Sequence, residues 1–209
     1  MAHGLRPGEG SAVINASIHT FVATDGKSIS QLGVDLSRAT VPDRKYAADT
    51  CAVSYAKQTV RIIFGQERFD TGELRSAVAV KMSPRGVVQF LASIETAMPE
   101  DVIKAISNDG VEAQNLVSAD LEPKQIAVVL VANMAIAAAS SSEACVDFYQ
   151  ASPFAMGVAM QSTSNSTAPL AVEAVVRVDL STGLLLGLID ELKRVRTQFE
   201  NVQIWRPTK

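Results

Sequence analysis

Residues 172–182 read VEAVVRVDLST, and this stretch decides the fold. Apolar side chains alternate with others along it, and a period of two with one partly polar face is typical of a half-buried antiparallel strand. A helix is predicted to follow at once, because the oxygen of Ser181 can accept a backbone N–H that has no other partner at a helix start. The buried face of the strand is predicted to consist of Val172, Ala174, Val176, Val178 and Leu180.

The next segment has the spacing of a helix with one apolar side. Charged residues between Asp190 and Arg196 occupy the opposite side. A helix of this kind packs its apolar stripe on a sheet. The apolar residues recur at steps of three and four: Leu184, Leu188, Leu192, Val195 and Phe199.

The same pattern occurs earlier in the chain, where residues 77–84 read AVAVKMSP. Val78, Val80 and Met82 are predicted to point inward, and Ser83 with Pro84 is predicted to start a second helix. Because the parts follow one another in the same order, the chain is predicted to be a tandem duplication. Val78, Val80 and Ser83 match Val176, Val178 and Ser181 at an offset of 98, and Cys51 and Tyr55 match Cys145 and Tyr149 at an offset of 94.

Further strands complete each predicted unit. An earlier strand is predicted at residues 53–64 and at 146–160, and a first one at 12–18 and at 129–137, where a strand is preferred to a helix. The predicted fold is α+β: a tandem duplication of a strand-strand-strand-helix unit, with an antiparallel sheet and amphipathic helices on one face. The first unit covers residues 11–110, with a long polar excursion at 24–49, and the second covers 122–205.

The composition excludes several classes of protein. Of the 209 residues, 47% are apolar and 20% are charged, which excludes a disordered chain and a coiled coil. A net charge of −3 gives no electrostatic reason to expect nucleic-acid binding. The most apolar run, at 126–139, is shorter than the ~20 residues of a membrane span, and the first residues lack the apolar core of a secretory signal. We expect a cytoplasmic protein without a membrane span.

Few side chains are candidates for catalysis or metal binding. Neither His3 nor His19 stands at a metal-ligand spacing, and no glycine pattern marks a phosphate-binding loop. The thiols of Cys51 and Cys145 are predicted to be buried and unreactive, and the sequence leaves open whether a disulfide joins them. We therefore expect no cofactor and no metal.

Two groups of charged residues are interpreted as solvated. Glu67, Asp70 and Glu73 share a predicted turn and could form an acidic site, together with Glu173 on a strand, if the protein were an enzyme. Solvated turn charges are the preferred interpretation. The basic residues near the C-terminus are interpreted as a solvated helix face rather than a phosphate-binding patch: Lys193, Arg194, Arg196, Arg206 and Lys209.

Aromatic and methionine side chains on the earlier strands are the candidate binding residues. If a helix leaves their shared face partly uncovered, they form an apolar and adaptable surface that suits peptide binding. The alternative is that they belong to an ordinary core or to an oligomer interface. The candidates are Tyr55, Phe64, Phe148, Tyr149, Phe154, Met156 and Met160.

The first unit resembles a small bacterial family of uncharacterised strand-strand-helix domains. The resemblance is carried by VRIIFGQ at 60–66, a short acidic hairpin, VAVKMSP at 78–84 and the apolar helix that follows. The second unit departs from it, with Ala159 and Met160 in place of Phe-Gly and with Ser-Thr in place of Ser-Pro. Strands followed by an amphipathic helix are also distantly similar to the SecB-like export chaperones. That similarity implies an oligomeric, ATP-independent holdase or a polypeptide-binding scaffold, and no functional residue is carried over.

The sequence favours a non-enzymatic binding or assembly module, chaperone-like at the extreme. The alternative is a structural subunit of a phage or secretion assembly, and an unrecognised enzyme comes third. Ile63 and Val175 are predicted on the outer side of their strands, and exposed apolar strips of this kind mark interfaces. We therefore expect a homo-oligomer, most simply a two-fold dimer, with unfolded polypeptide or an assembly component as a further partner.

Overall fold

The computed structural model describes residues 11–22, 28–36, 39–67, 70–71, 74–108, 110–117, 128–161 and 167–200. This part of the chain has a mixed α+β fold. Its strands are β1 (Ser11–Val22), β2 (Ser28–Val34), β3 (Lys45–Ala47), β4 (Thr50–Ala56), β5 (Thr59–Glu67), β6 (Leu74–Met82), β7 (Val129–Val131), β8 (Met134–Ala139), β9 (Glu143–Ala151) and β10 (Thr167–Ser181). Its helices are α1 (Pro84–Ala97), α2 (Glu100–Asn108), α3 (Pro153–Gln161) and α4 (Thr182–Glu200).

The strands form two sheets. Sheet A has the order β2-β1-β10-β9-β8, and sheet B has the order β4-β5-β6-β7. Neighbours are antiparallel except at two places, where β3 pairs in parallel with β10 and β7 pairs in parallel with β6. The antiparallel strands were predicted, whereas the two parallel pairs were not.

The two short parallel strands, β3 and β7, link the sheets, because each pairs with one sheet while the chain after it continues into the other. β3 leads directly into β4 of sheet B, yet it pairs with β10 of sheet A. In the same way, β7 leads into β8 of sheet A, yet it pairs with β6 of sheet B. Each sheet therefore contains a strand whose chain continues in the other sheet.

The strand pairs of the two sheets have the same register. Cys51 of β4 lies opposite Phe64 of β5, and Ala135 of β8 lies opposite Phe148 of β9, an offset of 84 on both strands. Phe64 lies opposite Val78 of β6, and Phe148 lies opposite Val176 of β10, where the offset of the last strand is 98. The offset in residue number increases from 84 at β9 to 98 at β10, because helix α3 lies between these two strands.

The strands β6 and β10 each contain one extra residue, at corresponding positions in the two sheets. The pairing skips Ala77 between Gly65 and Phe64, and it skips Val175 between Tyr149 and Phe148. Such a bulge reverses the side on which the following side chains point.

The bulge corrects one prediction. Val172 and Ala174 do not share a face with Val176, Val178 and Leu180, because the extra residue Val175 lies between the two sets. Val78, Val80 and Met82 of β6 follow their bulge and are buried together, as predicted.

A single main core holds the inner faces of both sheets and the helices α1 and α4. The rings of Phe64 and Phe148 meet there with centroids 5.9 Å apart. α1 packs against β8, the edge of sheet A, and α4 packs against β4, the edge of sheet B. The buried apolar helix residues of this core are Val87, Phe90, Leu91 and Ile94 of α1, and Leu184, Leu185, Leu186, Leu188, Ile189, Leu192, Val195 and Phe199 of α4.

Both helices begin as predicted. The Ser83 Oγ accepts the backbone N–H of Gly86 at 3.1 Å, and Pro84 is the first helical residue. The Ser181 Oγ accepts the backbone N–H of Leu184, also at 3.1 Å. Each bond satisfies one of the amide hydrogens that a helix start leaves without a partner. The alternating strands therefore run directly into capped helices in both halves of the chain.

Smaller clusters cover part of the outer face of each sheet, the face that points away from the main core. On sheet A, Tyr149 and Val172 are buried beneath Met156 of α3. On sheet B, Ala52, Ile63 and Ala79 are buried beside Val117. Ile63 was predicted as part of an exposed apolar strip, and it is buried; Val175 packs on the main core.

Several predicted elements divide differently in the structure. The strand predicted at 53–64 is the hairpin of β4 and β5, joined at Lys57 and Gln58, whose φ angles of 51° and 59° lie in the left-handed region. The strand predicted at 146–160 is β9 followed by the helix α3, and the one predicted at 129–137 is divided into β7 and β8. The excursion at 24–49 contains β2 and β3.

The predicted match of Cys51 with Cys145 is wrong. Cys51 lies on β4, an edge strand, whereas Cys145 lies on β9, between two strands. The two thiols are free and lie in different sheets. By register, the residue that corresponds to Cys51 is Ala135.

Candidate binding surfaces

Three of the predicted binding residues belong to the interior. Phe64 and Phe148 are fully buried in the main core, and Tyr149 is buried in the cluster beneath α3. These side chains cannot contact a partner: Phe64 is covered by Phe148 of sheet A, Phe148 is covered by Phe64 and by Phe90 of α1, and Tyr149 is covered by α3. The alternative interpretation as ordinary core residues holds for all three.

The other predicted residues differ in exposure. Tyr55 is half-buried against Phe199 of α4, with ring centroids 5.3 Å apart. Met156 is half-buried, and its sulfur lies 3.5 Å from the Asn133 Nδ2. Phe154, at the start of α3, is 81% exposed. The Met160 side chain lies outside the described residues. The six candidates whose side chains are described do not form one surface.

An apolar edge lies on sheet B at β7. Val129 and Val131 are 47% and 59% exposed, while Leu130 between them packs on the main core. The backbone of β7 bonds to β6 through Val128 and Ala132, since the Ala79 N–H donates to the Val128 oxygen and the Ala132 N–H donates to the Lys81 oxygen. The polar backbone groups of Val129 and Val131 therefore point away from β6, as in other edge strands.

A row of side chains crosses the outer face of sheet B and ends at this edge. Arg61 of β5 lies opposite Lys81 of β6, and Lys81 lies opposite Val131 of β7. Ser54 of β4 lies opposite Arg61 and completes the row. We call Ser54, Arg61, Lys81 and Val131 the basic row.

The corresponding row of sheet A has a different character. It consists of Ala138, Cys145, Asp179 and Ala47, which are paired in the same order across β8, β9, β10 and β3. Asp179 therefore stands where sheet B has Lys81, and Cys145 stands where it has Arg61. No ion pair is made by Lys81 or Asp179 within the part of the chain that the structure describes.

A cleft of about 900 Å³ opens beside this second row. Three carboxylates line it, those of Asp49, Glu143 and Asp179, and all three residues are exposed. Its remaining walls are largely small side chains, among them Ala48, Ala138, Ala139 and Ala144. We call this feature the acidic cleft.

The acidic cleft also contains a thiol. Burial raises the pKa of Cys145, Arg177 opposes this shift, and the carboxylates of Asp147 and Asp179 add to it. A thiol with a raised pKa is a weak nucleophile at neutral pH. Burial also raises the pKa of Cys51 far above its ordinary value, in agreement with the predicted inert thiol.

One ion pair is built into the outer face of sheet A. The guanidinium of Arg177 donates two bonds of 2.7 Å to the two carboxylate oxygens of Asp147. Asp147 is buried, and this pairing raises the pKa of Arg177. The corresponding pair in sheet B is Ile63 with Ala79. Burial and the nearby Asp147 carboxylate raise the pKa of Tyr149 to about 12.

The predicted acidic turn does not form a described site. The Glu67 side chain is exposed, and its backbone N–H donates to the Asp49 Oδ1 at 2.8 Å. Asp70 is exposed, Glu173 is exposed on β10, and Glu73 lies outside the described side chains. No group of three potential metal ligands occurs among the described residues. His3 and the His19 side chain lie outside them.

The basic C-terminal residues are partly paired. Arg194 forms a two-bond ion pair with Glu191 on α4, at 2.6 and 2.8 Å, and Arg196 also has a partner. Arg206 and Lys209 lie outside the described residues. No described helix is long and apolar enough to cross a membrane.

Sequence reasoning missed the basic row and the acidic cleft, because each joins residues that are distant in the chain. It missed the β7 edge because the position of β7 depends on the strand order of sheet B. The alternation of polar residues on β5 and β6 was a usable signal for the row once the strands were paired. No protein-family model, no curated protein and no solved structure matches this chain.

Proposed function

We propose that this protein is a non-enzymatic assembly module, a tandem duplication of one strand-strand-strand-helix unit that binds further copies of itself. The proposal keeps the expected homo-oligomer and places its contact on the edge of sheet B. A structural subunit of a phage or secretion assembly is one form that such a module would take.

The duplication is supported by details that local sequence does not require. Asp49 and Asn133 correspond at the offset of 84, and their side-chain oxygens accept the N–H groups of Glu67 and Ala151, which also correspond. The two serine caps correspond at the offset of 98. In each proposed unit one amphipathic helix then buries its apolar face in the shared core.

The exposed edge at β7 is the observation that carries the proposed function. Edge strands present unpaired backbone groups, and natural proteins protect them with charges, most often lysine. The corresponding strand β3 has Lys45 where β7 has Val129. An unprotected edge with two exposed valines favours association with another chain.

A second copy of this chain is the proposed occupant of the edge. Addition of a strand to a sheet edge supplies main-chain hydrogen bonds, and exposed apolar side chains supply buried area. The opposite charges of the basic row and the acidic cleft also suit a contact between two copies.

Light scattering at micromolar concentration tests the proposal. We expect wild type to exceed the 22.2 kDa of one chain. A Val129→Ser, Val131→Ser variant should dissociate, because it loses the apolar edge without a change in charge. A monomeric wild type overturns the proposed function.

A matched control removes two exposed valines from another part of the protein. Val13 and Val41 are 60% and 45% exposed and lie outside β7. A Val13→Ser, Val41→Ser variant should keep the wild-type mass. If both double variants dissociate equally, the β7 edge is not the contact.

Phe154 favours a second candidate, a chaperone-like surface for unfolded polypeptide. A phenylalanine that is 81% exposed at the start of a helix is a ready apolar anchor. The test is suppression of the aggregation of an unfolded client protein. Phe154→Asp should abolish suppression, while Val102→Asp, which changes an exposed valine on α2, should not. Equal activity of wild type and Phe154→Asp removes this candidate.

A further inference from the structure

We infer that copies associate head to tail, with the basic row of one copy bound in the acidic cleft of the next. The inference rests on the proposed function and names the two surfaces involved. It requires that the two surfaces differ in charge and that both are accessible to another copy.

The basic row brings two cationic side chains into direct opposition. Arg61 and Lys81 are cross-strand neighbours, so two cationic side chains lie side by side in this row. Both side chains are half-exposed on the outer face. Carboxylates of a partner, placed over this row, would pair with Lys81, which makes no ion pair within the described part of the chain.

The acidic cleft offers the complementary charges. Asp49, Glu143 and Asp179 all line the cleft, and all three are exposed. The alanines between these carboxylates leave room for long side chains, whose apolar stems pack on small apolar walls. The volume of about 900 Å³ is ample for the ends of a lysine and an arginine.

The row and the cleft occupy corresponding places in the two sheets. Lys81 corresponds to Asp179, and Arg61 corresponds to Cys145, with the same strand pairing around each. The buried positions beside them keep their apolar character, as Val80 and Val178 do. The units thus share an interior and differ in the charge of their outer faces, which is the arrangement that a directional contact between copies needs.

The position of the two surfaces determines the form of the assembly. The basic row lies on the outer face of sheet B, whereas the acidic cleft is lined by Cys145 and Asp179 of the outer face of sheet A together with the core residues Ala48, Ala144 and Leu180. A contact between two different surfaces is heterologous, so it repeats until a ring closes or continues as a chain. The Val129 and Val131 edge ends the basic row and would be buried in the same contact.

Charge reversal with mixing tests the inference. Lys81→Glu brings the charge of the basic row from +2 to zero and keeps the cleft, whereas Asp179→Lys brings the charge of the cleft from −3 to −1 and keeps the row. We expect each variant alone to be monomeric by light scattering. An equimolar mixture should form a particle of twice the monomer mass and no larger, because only one contact per pair of chains can form.

Matched controls and salt complete the experiment. Lys193→Glu and Asp190→Lys on α4 change the net charge equally and should leave the wild-type mass unchanged. Wild-type association should weaken as sodium chloride is raised from 50 to about 500 mM, since salt screens exposed charges. Denaturation midpoints of all four variants establish that each is folded.

The outcomes separate this inference from the proposed function. If wild type is monomeric at every salt concentration, both fail. If wild type is oligomeric but either reversal leaves its mass unchanged, only the head-to-tail contact is overturned. The head-to-tail contact is also overturned if the two variants are folded but stay monomeric when mixed. It is overturned as well if Asp179→Lys dissociates while Lys81→Glu does not.

Discussion

Phe64 and Phe148 contact each other across the main core, with ring centroids 5.9 Å apart and an interplanar angle of 63°. Each ring belongs to the middle of three antiparallel strands, and each stands opposite a buried valine, Val78 or Val176. An edge-to-face pair of this kind contributes about 0.5–1.5 kcal/mol beyond its area burial. The contact joins the two sheets at corresponding positions.

Truncation of either ring should destabilise the fold strongly. Phe64→Ala and Phe148→Ala should each lower the free energy of unfolding by about 3–5 kcal/mol, because both leave a cavity in the main core. Denaturant midpoints measure this loss. A double variant that loses less than the two single losses combined would demonstrate the contact, whereas strict additivity would contradict it.

The two serine caps should contribute similar amounts to the free energy of unfolding. Ser83→Ala and Ser181→Ala should each cost about 1 kcal/mol, because one backbone N–H at the helix start loses its acceptor. Ser83→Asp serves as the control, since aspartate also caps. Unchanged denaturant midpoints for both alanine variants would mean that these serines do not cap.

The ion pair between Asp147 and Arg177 should be costly to break from one side. Arg177→Ala leaves a buried carboxylate without its partner and should cost about 3–5 kcal/mol. The double variant Asp147→Ile, Arg177→Ala reproduces the pair Ile63 and Ala79 of sheet B and should be more stable than Arg177→Ala. Urea unfolding of the three proteins decides the point, and a double variant less stable than the single one would refute it.

Tyr149 should make stability depend on pH in the alkaline range. Its pKa is about 12 in the folded protein and 10 for an ordinary tyrosine, so folding favours the neutral phenol. The stabilising effect is complete below pH 10 and is lost as the pH rises through about 12. Ultraviolet titration should show a phenol transition near pH 12 that is absent from Tyr149→Phe. A Tyr149→Phe variant that keeps this transition would contradict the assignment.

Local patterns predicted the part of the fold that local interactions determine. The alternation around Val78 and the cap at Ser181 depend on near neighbours, and both were confirmed. The bulge at Val175 was invisible because Val175 and Val176 are both apolar, so either one could point inward. The turn at Lys57 and Gln58 contains none of the residues that usually mark a left-handed turn.

The candidate binding surface could not be predicted in the same way. An aromatic residue on a strand, such as Phe148, looks the same in a sequence whether it lines a groove or a core, and only the packing of sheet B on sheet A distinguishes them. The opposition of Arg61 and Lys81 depends on the pairing of β5 with β6. Surfaces of this kind require the strand order before they can be recognised.

The exchange of β3 and β7 has a consequence for how the molecule unfolds. The two halves cannot separate without breaking a parallel strand pair, either that of β3 (Lys45–Ala47) with β10 or that of β7 (Val129–Val131) with β6. A chain with two similar halves would otherwise be free to melt in two steps. Because of these shared strands the two halves should unfold together, and calorimetry should record a single unfolding transition.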